Sequence, residues 1–102
     1  MTDLDHLLNI ERTFGTKLKI SLNQEQNIIG IDLSNEAFLV EKILNTISCF
    51  QSLKHLDISY TNLSNIKWLT DFPELETLNI SGNNIHSLSP LANLTKITSL
   101  EA

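Results

Sequence analysis

The chain has 102 residues, enough for one domain, and 41% of them are hydrophobic, an ordinary share for a protein that folds around a core. Its formal net charge of −5 disfavours nucleic acid and anionic membrane as partners, since both reward a basic surface. No apolar run reaches the roughly 18 residues of a membrane-spanning helix, and a single cysteine, Cys49, excludes an internal disulfide or an all-cysteine zinc site.

Residues 2–14 predict an amphipathic helix. Leu4, Leu7, Leu8 and Ile10 or Glu11 fall at helical spacing, and Phe14 closes the apolar stripe. Thr2 or Asp3 can cap its start, and Gly15 stands where it would stop. The same stretch, MTDLDHLLNIERTFG, carries acids early and lacks the continuous apolar core of a secretory signal. Together with the single thiol, this sets the expectation of a reducing compartment, the cytoplasm. In KLKISL, residues 17–22, Leu18, Ile20 and Leu22 alternate with Lys17, Lys19 and Ser21, the period of a half-buried strand. Asn23 to Asn27 is a polar turn, and Ile28 to Leu33 is the next strand. Helix and extra strand, residues 1–27, form an expected N-terminal cap, because the first unit of a stacked array would otherwise bare its apolar flank.

From residue 28 onward one pattern recurs. IIGIDLSNEAF starts at Ile28, LKHLDISYTNL at Leu53, LETLNISGNNI at Leu75 and ITSLEA at Ile97, so the starts are 25, 22 and 22 residues apart. Apolar residues stand at the first, fourth, sixth and eleventh positions. The fourth and sixth point to the core: Ile31 and Leu33, Leu56 and Ile58, Leu78 and Ile80, then Leu100 and Ala102. The second return carries Leu63, Ile66, Leu69 and Phe72, and the third Ile85, Leu88, Leu91 and Leu94. Steps of three suit tight turns and 3₁₀ segments. The first return is longer, and Leu39, Ile43, Ile47 and Phe50 lie at steps of four, four and three, which predicts an α-helix.

A period of 20–29 residues with this spacing is the signature of a leucine-rich repeat. The third unit and its return, LETLNISGNNIHSLSPLANLTKITSL, resembles the 22-residue class found in bacterial internalins and in a regulatory subunit of a eukaryotic protein phosphatase. HSLSPLANLTKI is especially similar to the internalin form. The front half, IERTFGTKLKISLNQEQNIIGIDLSN, is similar to the helix-plus-strand start of many intracellular bacterial leucine-rich proteins. The resemblance covers residues 28–102 as repeats. It implies an α/β fold: a short right-handed solenoid with a parallel sheet on the concave face and 3₁₀ or irregular returns on the convex side. The family places Asn at the ninth repeat position to pair with backbone groups of adjacent turns. Asn83 matches, Thr61 is a partial substitute and Glu36 is none, so the ladder is expected to be incomplete in the first two repeats. The fourth repeat stops at its sixth position, which sets the expectation of a fragment of a longer solenoid, or of an end covered by another molecule.

In such a fold the outward-facing positions stack into rows. The fifth gives Asp32, Asp57, Asn79 and Glu101, the third Gly30, His55, Thr77 and Ser99, the seventh Ser34, Ser59 and Ser81, and the eighth Asn35, Tyr60 and Gly82. With strands about 4.8 Å apart, Asp32 and Asp57 are close enough to repel. The fifth row reads either as an acidic strip for a basic partner or as solvated surface. Tyr60 is the candidate aromatic anchor, the alternative being packing against the adjacent loop. His55 beside Asp57 and Tyr60 is a candidate pH-sensitive contact or an ordinary exposed histidine. Trp68 either covers the core edge or forms a second contact surface.

No catalytic or cofactor-binding constellation emerges. Cys49 reads as a small buried hydrophobe, His6, His55 and His86 fall in different layers without metal spacing, and the three glycines make no phosphate loop. The expected function is protein–protein recognition through the concave face by Asp32, His55, Asp57, Tyr60, Asn79 and Glu101, without cofactor or enzymatic activity. The partner is another protein, one with a basic patch matching the acidic row. Two alternatives stand beside it: a structural spacer within a larger multidomain or effector protein, and a regulatory subunit of an enzyme such as a phosphatase.

Overall fold

Thr2 opens the first helix, α1 (Asp3–Phe14), with a reciprocal capping box in which its hydroxyl accepts from the Asp5 amide while the Asp5 carboxylate accepts from the Thr2 amide. Gly15, at φ +67°, ends the helix in the left-handed conformation. The computed structural model describes residues 1–102. Two carboxylates of α1 fasten it to the chain that follows. Asp3 accepts from the Ile28 amide at 2.8 Å, and Glu11 accepts from the Leu18 amide at 2.8 Å.

Five strands form one sheet in sequence order: β1 (Lys19–Leu22), β2 (Ile28–Asp32), β3 (His55–Asp57), β4 (Thr77–Asn79) and β5 (Ser99–Glu101). β1 runs antiparallel to β2, with an irregularity between Ser21 and Leu22, and the remaining pairs are parallel. The register follows the repeat numbering: Gly30, His55, Thr77 and Ser99 are aligned partners, as are Asp32, Asp57, Asn79 and Glu101. A right-twisted parallel connection of this kind winds right-handed. The returns are one helix, α2 (Ala37–Ile43), and 3₁₀ turns at Ile47–Cys49, Lys67–Asp71 and Ser89–Asn93. This is the short α/β solenoid that the spacing predicts. No helix is long and apolar enough to cross a membrane.

The core runs along the axis as layers of side chains. Ile28, Leu53 and Leu75 at the first position are fully buried, and so are Phe50 and Phe72 just ahead of β3 and β4. Ile31, Leu33, Leu56, Ile58, Leu78 and Ile80 are buried as their repeat positions require. Four expectations fail locally. Leu100 is 45% exposed and Ala102 is exposed, because β5 is the edge of the sheet and no layer lies on its outer side. Phe38, at an eleventh position, is 75% exposed, because α2 turns Val40 and Ile43 inward in its place. Leu88 is 51% exposed at the entrance to its 3₁₀ turn, where Leu94 fills the core. The first return is helical over only seven residues, and Ile47 reaches the core from a 3₁₀ turn.

Trp68 is half-buried. Its indole N–H donates to the Asn65 carbonyl at 3.1 Å and its ring meets Phe72 edge-on at 6.3 Å, so it covers the edge of the core. Cys49 is half-buried rather than enclosed. Its thiol donates to the Thr46 carbonyl at 3.1 Å, and burial pushes its pKa above the ordinary thiol value.

Candidate binding groove

Alternation along each strand puts the third and fifth repeat positions on the face opposite the core. There the five strands floor a groove of about 450 Å³. Its lining includes Asp32, His55, Asp57, Asn79 and Glu101. It also takes in Lys19 and Ser21 from β1, which stand opposite Asp32 and Gly30 in the antiparallel register. The N-terminal strand therefore adds a cation to one end of an otherwise acidic row. The alternation of KLKISL marks β1 as a strand of the cap but does not reveal this contribution, since only the pairing register brings Lys19 beside Asp32.

Turns hold three residues of the fifth-position row. Asp32 Oδ1 accepts from the Ser34 amide at 2.9 Å and the Ser34 hydroxyl at 2.7 Å. Asp57 Oδ1 holds Ser59 through the same two bonds, at 2.9 and 2.7 Å. Asn79 Oδ1 does so with Ser81, at 3.1 and 2.6 Å. β2, β3 and β4 thus each end in an Asx-type turn that fixes one oxygen of the residue at the fifth repeat position. The serine hydroxyl, then the serine amide, draws the Asp32 carboxyl below its ordinary pKa, with Lys19 assisting against partial burial. The second oxygen of each aspartate is not used by the turn. The row closes where Asn79 Nδ2 donates to Glu101 at 3.3 Å. The signal for this arrangement was in the sequence as Asp-x-Ser, Asp-x-Ser and Asn-x-Ser at Asp32, Asp57 and Asn79.

The same turns remove the seventh position from the outward rows. Ser59 is 5% exposed, and Ser34 and Ser81 are half-buried, each drawn in by its aspartate or asparagine. The eighth position is not a groove residue either. Asn35, Tyr60 and Gly82 all take positive φ, at +62°, +54° and +71°, to turn the chain away from the sheet. Tyr60 is 62% exposed and lies outside the groove lining. His55 lines the groove, where its Nδ1 shares a 2.7 Å hydrogen bond with Thr77 Oγ1. No three His, Cys, Asp or Glu side chains come together as metal ligands.

Behind the turns, Asn83 joins two repeats. Its Oδ1 accepts from the amides of Thr61 and Leu63 at 3.0 and 2.9 Å, and its Nδ2 donates to the carbonyls of Ile58 and Ile80 at 2.9 and 3.0 Å. Thr61 donates its hydroxyl to the Ile58 carbonyl at 2.7 Å, a bond inside its own repeat that does not reach the first. Glu36 caps α2 without any side-chain bond, so the ladder is incomplete in the first two repeats, as their residue types imply.

Residues 51–93 match the family described as Leucine Rich repeats (2 copies), a segment that spans the second repeat and most of the third. No curated protein matches the chain significantly. Repeats of this family generally mediate protein–protein interaction.

Proposed function

We propose that this leucine-rich repeat protein is a non-catalytic recognition module whose strand-face groove takes a basic segment of another protein. The observation that carries the reading is the fixed carboxylate row. Asp32 and Asp57 each hold one oxygen in a turn and leave the other to the groove, on adjacent, aligned strands. Side chains held this way lose little freedom on binding, so charge in the groove converts efficiently into association. Lys19 at one end and Glu101 at the other give the groove a direction, which favours one orientation of an extended partner. A single half-buried thiol suits a reducing compartment, and the cytoplasm is part of the proposal. The internalin-like 22-residue class read from HSLSPLANLTKI is likewise part of it.

The test removes charge without removing the turns. Asn79 already performs the turn bonds with an amide, so Asp32→Asn with Asp57→Asn keeps the geometry and deletes two charges. In affinity capture from native lysate, a partner held by the parent should be lost or weakened at least tenfold by the double variant. That partner should also elute with moderate salt. Equal capture by both proteins would refute the reading.

A further inference from the structure

Tyr60 breaks the rule that its neighbours in the eighth-position row obey. The turn demands a left-handed residue, and the first and third repeats supply Asn35 and Gly82, which adopt that conformation readily. The second repeat supplies a bulky aromatic at φ +54°. A left-handed tyrosine is unfavourable by itself and persists only where its surroundings hold it. The surroundings do so through Gly82, where a Cβ would run into the Tyr60 ring, with Cγ only 2.8 Å away. The ring is thus seated against bare backbone on one side while 62% of the residue remains exposed.

Resting on the groove reading above, we infer that Tyr60 is a preorganised platform for a cationic side chain of the partner, an arginine or lysine that leaves the acidic groove past the end of β3. Two observations point to that occupant. Tyr60 follows Asp57 by three residues, across the turn that Asp57 itself holds. The groove beside it carries Asp32, Asp57 and Glu101 against one lysine, Lys19. A seated tyrosine loses little further entropy when a guanidinium stacks on it, which is why such residues serve as anchors.

The experiment uses the full chain and a fluorescein-labelled arginine nonapeptide, read by fluorescence anisotropy at low salt, with a citrulline nonapeptide as the neutral control. Melting temperatures are measured on the same samples. Tyr60→Phe should bind within about twofold of the parent. Tyr60→Asn should bind severalfold more weakly yet melt at or above the parent temperature, because asparagine accepts the left-handed turn. Unchanged binding by Tyr60→Asn overturns the inference, and so does a melting temperature several degrees lower, which would make the ring a structural plug. If the parent fails to bind, or prefers citrulline, this inference and the groove reading fall together. If Asp32→Asn with Asp57→Asn abolishes binding while Tyr60→Asn leaves it intact, only the Tyr60 inference fails.

Discussion

At the scale of single residues, the aspartates of the fifth row each do two things with two oxygens. Oδ1 of Asp32 and of Asp57 ends a strand by holding a serine, and Oδ2, unused by the turn, is the oxygen proposed to meet the partner. Ionisation of Asp32 is therefore linked to folding. Its folded pKa lies below the unfolded value, so its contribution is complete at neutral pH and is lost as pH falls through the carboxylate range to the folded pKa. Asp32→Asn retains the acceptor and cannot titrate, so its urea midpoint should decline less between pH 6 and pH 3 than the parent's. Parallel declines would mean that Asp32 carries no linkage. The row itself was legible in the sequence, since the repeat period places Asp32, Asp57, Asn79 and Glu101 at equal positions. Which oxygen is committed was not legible, because that depends on a turn closing two residues later.

At the scale of elements, the returns decide how well neighbouring repeats are joined. Asn83 alone satisfies two amides and two carbonyls drawn from the second and third repeats. Asn83→Ala strands those groups in a half-buried position and should destabilise the fold by about 2–3 kcal/mol, measured by urea denaturation. A loss below about 0.5 kcal/mol would mean that water replaces the amide there. The Asn ladder and its gap at Glu36 were legible from residue type. The first return was legible as helical but not in its rotation: α2 buries Val40 and Ile43 and leaves Phe38 outside, although Phe38 satisfies the repeat spacing. A helix and a 3₁₀ turn present the same apolar residues at different angles, and spacing fixes the residues rather than the angle. Tyr60 shows the same limit. Its row was legible, but its exit from the sheet follows from a positive φ that no apolar pattern encodes.

At the scale of the whole molecule, stacked strands turn a set of unremarkable polar side chains into a directional groove. Parallel register brings the fifth and third positions of every repeat together, and the antiparallel β1 adds Lys19 at one end. The returns carry a different depression, lined by Ser64, Lys67, His86, Ser89 and neighbouring residues. The proposed recognition uses the strand face and not the returns. Amide chemical-shift mapping of the ¹⁵N-labelled chain, titrated with the arginine nonapeptide, separates the two directly. The largest shifts are expected at Gly30, His55, Asp57, Thr77 and Asn79, with the returns unmoved. Shifts concentrated at Ser64, Lys67, His86 and Ser89, with a silent strand face, would contradict it.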